Sequence, residues 1–364
     1  MIYAGCFLLS VLSCEFALQM RGHRYIRRFF ILLSVMLPVL LAGLRATSIG
    51  TDVEYYLVGD FRIAGRRSSF FEYITSYTSS RELLYMIIVY VVNKTTGNIN
   101  VVLFIFEMVT IVGIYVGLYK HRNVISVPFA YAVFLLLFYH ETLNLMRQWM
   151  SLAIMFAGVD NVERKRYWKF IPYVAVAALL HTTALIALVL IPMHYILYHS
   201  MHGQRPVIKM LFLLGIGGVC LFIDQLLRMV INFGLLARKY LAYVNRGSVS
   251  GHNIDTVLVI VEIVLLLIYN RRLTMRVPQF SFYKYNTYLF LLFLQLARVM
   301  YYGDRFGATF RLMNVLTLCT IPHFTSDRRE RQLFFVVIFM VCLVYWWYMY
   351  IYIGNNATYP YLFA

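Results

Sequence analysis

Long apolar runs recur along the whole chain and alternate with short polar stretches. A helix needs roughly 20 apolar residues to cross the hydrocarbon core of a bilayer, so each run of that length predicts a membrane-spanning helix. Alternating the crossings between basic clusters predicts about twelve of them. The predicted crossings lie near 2–20, 29–44, 99–119, 124–141, 145–160, 168–180, 183–198, 207–230, 255–270, 285–300, 309–323 and 333–353. This pattern predicts an all-α polytopic membrane protein in which residues 1–364 form a single integral membrane domain.

Two longer segments fall outside the predicted crossings, at about 45–98 and about 231–254. The alternation of the crossings places both on the outer side as loops. The first contains an apolar stretch, 83–92, that is too short to span a bilayer. We therefore predict that 70–94 forms juxtamembrane helices lying at the outer membrane surface.

The crossings at 168–180 and 183–198 are also short, and the run Leu-Leu-His-Thr-Thr (179–183) separates them. Half-length helices are tolerated where their ends line a cavity enclosed by protein. The run 179–183 is therefore predicted to be a hinge within a recess open to the outside. If 168–198 is instead a single crossing, every outer assignment after it inverts.

Composition and charge agree with a membrane protein. The 364 residues carry a net charge of +17, are 61% hydrophobic and have a mean hydropathy of +0.70. A soluble domain of this composition would lack the surface charge that keeps it solvated. The basic residues concentrate in short loops between crossings, and such loops face the cytoplasm. The charge therefore orients the protein with both termini outside, and we expect no binding of nucleic acid.

Arginines on the predicted outer side run against this orientation bias and need another explanation. Four of them lie at the ends of different predicted helices: Arg45, Arg147, Arg305 and Arg311. Because guanidinium groups bind phosphate oxygens with two parallel hydrogen bonds, the set favours a convergent clamp for a lipid-linked pyrophosphate. The alternative is that these side chains extend to the membrane interface or pair with nearby acids: Asp52, Glu141 and Asp304.

Arg147 is the strongest individual candidate for the clamp. It begins an apolar helix together with Gln148, and a helix N-terminus adds partial positive charge where a phosphate would lie. Asn144 lies one turn earlier and is predicted to face the same cavity. These three residues are candidate pyrophosphate-binding residues, with Arg147 at their centre.

His181 is the best candidate for a general base, because an imidazole that interrupts two apolar half-helices is costly without a task. The alternative is a structural histidine hydrogen-bonded to a nearby carbonyl. His140, Glu141 and Asp52 are weaker candidates, since carboxylates beside arginines more often orient them than accept protons. No metal-ligand spacing occurs, so we predict a site that holds no metal ion and needs no cofactor.

Several short motifs resemble the EpsG-like subgroup of Wzy-type polysaccharide polymerases. They are Leu-Arg-(x)4-Gly-Thr-Asp-(x)2-Tyr at 44–55, Asn-(x)2-Arg-Gln at 144–148, Arg-Tyr-Trp…Leu-Leu-His-Thr-Thr-Ala-Leu-Ile at 166–186 and Phe-Arg-(x)2-Asn at 310–314. Their order and spacing extend the resemblance over essentially the whole chain. Arg45, Asp52, Arg147, His181 and Arg311 fall on motif positions, whereas Arg305 and Asp304 match no motif.

The resemblance implies a GT-C-like glycosyltransferase in the bacterial cytoplasmic (inner) membrane. It would join undecaprenyl-diphosphate-linked oligosaccharides on the outer leaflet, in contact with membrane lipid and alongside a flippase and a chain-length regulator. One alternative is an O-antigen ligase, which would be favoured by a large outer loop. The other is a flippase or transporter of the same lipid-linked units, which the mid-helix acids Glu107 and Glu262 keep open.

Overall fold

The computed structural model describes residues 1–20, 22–76, 82–199, 206–232, 253–296, 303–324 and 327–364. Within these ranges the protein is helical and contains no strand, as the apolar pattern predicted. The α-helices are α1 (Ile2–Gln19), α2 (Arg24–Gly43), α3 (Val58–Arg66), α4 (Phe70–Thr75), α5 (Leu83–Thr96), α6 (Ile99–Lys120), α7 (Val127–Asn144), α8 (Met146–Gly158), α9 (Asp160–Glu163), α10 (Tyr167–Ala178), α11 (Leu190–His199), α12 (Pro206–Leu221), α13 (Ile223–Asn232), α14 (Asn253–Ile268), α15 (Asn270–Arg276), α16 (Phe280–Leu294), α17 (Asp304–Phe324) and α18 (Arg328–Trp346). The described residues also include π-helical segments at Val53–Leu57 and Trp347–Tyr352 and 3₁₀ segments at Thr182–Val189 and Asn355–Ala357.

Within the described residues, four helices are long and apolar enough to cross a membrane: α1, α2, α6, and α18 with the π-helical segment that continues it. The bent pair α14 and α15, at 71°, makes a fifth if the two form one broken span. This number is smaller than the predicted total of about twelve crossings, because some predicted crossings do not form one long apolar helix. Turns interrupt several apolar runs, as between α12 and α13, and polar side chains occupy one end of α7 and α17. The count of about twelve and the GT-C-like arrangement remain predictions.

The chain groups into two compact units. The first unit contains Met1–Asn161, Trp168–Leu185 and Thr325–Ala364, and the second contains Val162–Tyr167 and Ile186–Phe324. Most of the candidate site residues belong to the first unit, whereas Arg305 and Arg311 belong to the second. The outer loop predicted at about 231–254 lies outside the described residues from 233 to 252.

In the first unit, long-range hydrogen bonds gather the start of α1, the end of α2 and the C-terminal segment at one end, which we call the terminal end. Tyr3 Oη donates to the Thr358 carbonyl oxygen at 2.6 Å, and Asn100 Nδ2 donates to the Gly43 carbonyl oxygen at 2.8 Å. Both termini therefore lie at the same end of this unit, which is the relationship that the crossing pattern predicted. Which side of a membrane this end faces remains a prediction.

The opposite end of the first unit carries basic side chains, and we call it the basic end. Arg27 donates to the Tyr119 hydroxyl at 2.5 Å, and Lys120 pairs with Asp160 at 2.9 Å. These residues come from the start of α2, the end of α6 and the segment after α8. Arg27 and Lys120, which belong to basic loops that the charge pattern predicts to face the cytoplasm, thus lie at one end of the first unit.

The region predicted to hold surface helices contains α4 and α5. α5 packs through Tyr85 and Val89 into a buried cluster that includes Leu57, Phe106 and Leu180. Its position relative to a membrane surface remains a prediction. The predicted break at 179–183 is confirmed, because α10 ends at Ala178 and the backbone turns before the 3₁₀ segment begins at Thr182. That this break lies in a recess open to the outside stays a prediction.

Candidate functional site

The break between α7 and α8 is the centre of the candidate site. Leu145 separates the two helices, so Asn144 ends one and Arg147 lies in the first turn of the next. The Asn144 side chain is buried, and its Oδ1 accepts hydrogen bonds from Thr51 Oγ1 at 3.1 Å and from the Asp52 backbone N–H at 2.8 Å. One motif residue thus anchors another motif, the run Gly-Thr-Asp at 50–52.

The backbone conformation and the close packing at position 50 require a glycine there. Its φ is +92°, and a Cβ atom there would lie 2.7 Å from the carbonyl oxygen of Leu143. A side chain would therefore be strained by the backbone conformation and would also collide with the end of α7. Close approach of the 50–52 backbone to this helix end is what allows the Asn144 contacts.

Arg45 contacts the break between α7 and α8, and its side chain is only 1% exposed. Nη2 donates to the Leu143 carbonyl oxygen at 2.7 Å and contacts Met146 Sδ at 3.3 Å, while Nε and Nη1 make no hydrogen bond within the described residues. Burial lowers the pKa of Arg45, and the nearby Glu107 carboxylate acts in the opposite direction. Arg45 was predicted to belong to a pyrophosphate clamp, but its guanidinium is buried and closed off from a ligand.

The C-terminal segment covers Arg45. The Ala46 backbone N–H donates to the Leu362 carbonyl oxygen, and the Ala364 N–H donates to the Leu44 carbonyl oxygen, both at 2.9 Å. Arg45 and Phe363 form an isolated antiparallel bridge between these two bonds. This pairing of distant segments had no signal in the sequence, because neither segment has a strand-like apolar pattern.

Glu107 is buried in α6, and its Oε1 accepts a hydrogen bond from Thr142 Oγ1 at 2.9 Å. The Arg45 guanidinium is close enough to interact with it electrostatically. Glu107 is therefore a candidate counter-charge for the buried arginine. The transporter alternative that this mid-helix acid keeps open stays a prediction.

Arg147 is more accessible than Arg45, with 19% of its side chain exposed. Nη1 pairs with Glu82 Oε2 at 2.9 Å. The guanidinium carbon also lies 4.8 Å from the Tyr85 ring centre and 6.0 Å from that of Tyr56. Aromatic faces and one carboxylate thus hold a cation at the N-terminal turn of α8, where the helix dipole is positive.

Tyr85, whose ring contacts Arg147, is itself held in place by a hydrogen bond. Its hydroxyl donates to Asp60 Oδ2 at 2.6 Å, and both residues are buried. Burial, and secondarily the Asp60 carboxylate, raises the pKa of Tyr85 well above its ordinary value. The phenol therefore remains a neutral hydrogen-bond donor, and its ring remains in place under Arg147.

His181 occupies the hinge after α10, half-buried. Its Nδ1 lies 2.7 Å from Thr183 Oγ1, and its backbone N–H donates to the Ala177 carbonyl oxygen at 2.9 Å. If Nδ1 carries the proton and donates to Thr183, then Nε2 presents its lone pair. This tautomer suits a general base.

Two contacts connect the hinge to the surroundings of Arg147. The Leu84 backbone N–H donates to the Leu179 carbonyl oxygen at 3.0 Å. Leu84 lies two residues after Glu82, the partner of Arg147. Ser151, one turn after Arg147 on α8, donates to the Ala177 carbonyl oxygen at 2.8 Å. The hinge, the start of α5 and the start of α8 therefore form one neighbourhood.

His140, by contrast, is fully buried and both of its ring nitrogens are engaged. Trp346 Nε1 donates to Nε2 at 2.9 Å, so Nδ1 carries the proton and donates to Thr358 Oγ1 at 2.7 Å. The ring also stacks on Tyr350, with centres 4.6 Å apart. These contacts make His140 a packing residue that joins α7 to the C-terminal segment, and we do not carry it forward as a base.

The remaining candidates of the first unit surround the same break. Asp52 is half-buried beside Asn144, and Gln148 is buried on α8. Glu141 Oε1 accepts a hydrogen bond from the Tyr350 hydroxyl at 3.1 Å. Among the described residues no group of three or more His, Cys, Asp or Glu side chains could hold a metal ion. Metal and cofactor independence remain predictions.

In the second unit, Arg311 is half-buried, and its Nη2 lies 3.9 Å from Asp255 Oδ1. Asn314 of the same motif accepts a hydrogen bond from Thr287 at 2.7 Å and donates to Glu262. Arg305 lies in the first turn of α17. That Arg305 and Arg311 converge with Arg147 on one ligand remains a prediction.

Comparison with known proteins identifies the family. The model of the EpsG family matches residues 28–363, nearly the whole chain. The chain therefore belongs to the EpsG family, which the order of the motifs had indicated. No curated protein and no solved structure matches it.

Proposed function

We propose that this EpsG-family protein is a polysaccharide polymerase of the bacterial cytoplasmic membrane. It would transfer a growing oligosaccharide from undecaprenyl diphosphate to the next lipid-linked repeat unit, on the outer face. Membership of the family and the apolar helices support this proposal. A flippase that delivers the repeat units and a chain-length regulator are its expected partners.

The observation that carries the proposal is the environment of Arg147. This half-buried guanidinium is held by two aromatic faces and by Glu82, at the first turn of α8. Such a cation can donate hydrogen bonds to phosphate oxygens, and the helix N-terminus adds to the positive potential. A pyrophosphate leaving group needs its charge neutralised, which is the chemistry that this position offers.

His181 would complete the reaction. An acceptor sugar hydroxyl attacks the anomeric carbon, and the bond from that carbon to the pyrophosphate oxygen breaks. The hydroxyl proton passes to Nε2 of His181, and undecaprenyl diphosphate leaves with the bonding electron pair. This step requires the tautomer in which Nδ1 carries the proton, and the Thr183 hydroxyl, 2.7 Å from Nδ1, can accept a hydrogen bond from it. Because pyrophosphate is a good leaving group, no covalent intermediate on the protein is needed.

Arg45 takes a positioning role in this proposal. It is too deeply buried to meet a ligand, but it donates to the Leu143 carbonyl oxygen at the end of α7. That bond fixes the break from which Asn144 and Arg147 project. Asp52 and Gln148 would support the same junction. Arg305 and Arg311 remain candidate phosphate-binding residues of the second unit.

Deletion of the gene in its host tests the proposed function. Surface polysaccharide is then examined by gel electrophoresis. Loss of the long-chain ladder, with single repeat units still attached at the surface, supports a polymerase. Loss of attachment with long chains retained on undecaprenyl diphosphate would show a ligase. Repeat units trapped on the cytoplasmic side would show a flippase, and either result would overturn the proposal.

A further inference from the structure

A groove of about 590 Å³ runs between α2 and α6 in the first unit. Ile31 and Val35 of α2 and Val112 and Val116 of α6 line it, so its walls are mainly apolar. On each helix the lining residues recur every three or four positions, which places them along one face. The volume lies within the range of roughly 300–1,000 Å³ that small-molecule sites occupy.

The two helices approach each other closely at the terminal end, where a Cβ atom on Gly43 would lie 3.1 Å from Phe104 Cβ. The groove begins beyond that contact, at Met108, and reaches Lys120 at the basic end. Twelve helical residues at 1.5 Å each give it a length of about 18 Å. One leaflet contributes half of the hydrocarbon core of about 30 Å, so the groove matches the depth of a single leaflet.

The two ends of the groove differ in charge. Arg28 and Lys120 lie at the basic end, whereas the rest of the lining carries no ionisable acid or base apart from tyrosines. Lys120 is paired with Asp160, but Arg28 is exposed and forms no hydrogen bond or ion pair within the described residues. This end therefore retains net positive charge beside an apolar channel.

We propose that the groove binds an anionic glycerophospholipid. One acyl chain lies along α2 and α6, and the phosphate lies at Arg28 with support from Lys120. Basic side chains next to an apolar inter-helix groove favour anionic head groups over zwitterionic ones. The site is separate from the proposed transfer chemistry, because neither Arg147 nor His181 lines the groove. It would tie the stability of the first unit to the lipid composition around it.

The polyprenyl tail of the substrate is a poorer occupant. Its pyrophosphate would then lie at the basic end. Arg147 instead follows the end of α7, which contacts the C-terminal segment at the terminal end, because Asn144 Nδ2 donates to Asn356 Oδ1 at 3.0 Å. A polyprenyl chain is also much longer than one leaflet is deep. A phospholipid satisfies both the charge and the length of the groove.

The test uses the full-length protein purified in a mild detergent. Phosphatidylglycerol and phosphatidylcholine with identical acyl chains are added separately. Thermal unfolding and native mass spectrometry then measure stabilisation and the number of retained lipids. We expect stronger retention and a larger rise in the unfolding temperature with phosphatidylglycerol. Arg28→Gln should reduce that preference about fivefold, whereas Arg24→Gln, an exposed arginine outside the groove, should not.

Val112→Trp tests the acyl-chain part of the proposal, because Val112 is 41% exposed and lines the groove. The larger side chain should fill the space and reduce retention of the lipid. Val336→Trp, at an exposed position on α18, is the matched control. Equal retention of the two lipids by all variants would mean unspecific boundary lipid only and would overturn the proposal. Displacement of phosphatidylglycerol by undecaprenyl phosphate at equal concentration would overturn the choice of occupant.

Discussion

The guanidinium carbon of Arg147 lies 4.8 Å from the centre of the Tyr85 ring. A hydrogen bond from its hydroxyl to Asp60 holds the ring in place, and an ion pair with Glu82 holds the arginine. A long, flexible side chain is thereby fixed in one orientation before any ligand arrives. Such pre-organisation lowers the entropic cost of binding a phosphate.

We expect Arg147→Lys to reduce long-chain polymer by at least about tenfold, because lysine keeps the charge but loses the planar fork and the ring contact. Arg147→Ala should abolish polymer. The measurement is the surface polysaccharide ladder of a deletion strain complemented with each variant, with protein level in the membrane followed by immunoblot. Arg62→Lys, an exposed arginine on α3, serves as the control. A full ladder from Arg147→Lys would remove Arg147 from the proposed phosphate site.

His181→Gln should lower the transfer rate by about 10²-fold or more, because glutamine cannot accept the proton from the acceptor hydroxyl. Thr183→Val should lower it less, since the imidazole stays but loses the hydroxyl that contacts its Nδ1. Thr182→Val at the exposed neighbouring position is the control. Rates are measured in membranes supplied with lipid-linked repeat units over a range of pH. An unchanged rate and pH profile in His181→Gln would exclude the histidine as base.

Gly50→Ala should destabilise the first unit by about 2–4 kcal/mol, the sum of a left-handed backbone cost and a steric collision. Gly97→Ala separates the two effects, because Gly97 also has a positive φ of +65° but has nothing within 4 Å of the added Cβ. It should cost about 1 kcal/mol. Gly59→Ala, in open space within α3, should be close to neutral. Thermal unfolding in detergent measures all three, and equal effects at Gly50 and Gly97 would contradict the predicted collision with Leu143.

Arg45 and Glu107 should show energetic coupling in a double-mutant cycle. Arg45→Met or Glu107→Gln alone leaves a buried group without its counter-charge and should cost about 3 kcal/mol. The double variant should cost less than the sum of the two, by at least about 1 kcal/mol. Combining Arg45→Met with Glu15→Gln, an exposed glutamate on α1, gives the additive control. Strict additivity of Arg45→Met and Glu107→Gln would show that the two charges do not interact.

Local pattern correctly located several features of the site. The interruption of two apolar runs at 179–183 predicted the hinge, and α10 does end there. The polar run after α7 predicted the start of a new helix near Arg147, which is observed at Met146. The family was also identified correctly from short motifs in a fixed order. Each of these inferences depends on residues that are close together in the sequence.

Other features depend on contacts between residues far apart in the chain. His140 was a candidate base until the structure brought Trp346 and Thr358, more than 200 positions away, onto its two ring nitrogens. Arg45 was a candidate clamp residue until residues 362–364 were found paired over it. Glu82, which holds Arg147, was not predicted, because neither charge pattern nor periodicity links the start of α5 to the start of α8.

The sequence by itself determined that this is a helical membrane protein of the EpsG family, and it located the helix breaks before Arg147 and at 179–183. It did so because hydrophobic periodicity, helix-ending residues and loop charge act over a few neighbouring positions. Only the tertiary structure decided which polar residues are exposed. Arg45, His140 and Arg147 look alike as polar residues near helix ends, but distant segments bury the first two and leave the third accessible. Burial depends on packing between segments, and local sequence carries little information about it.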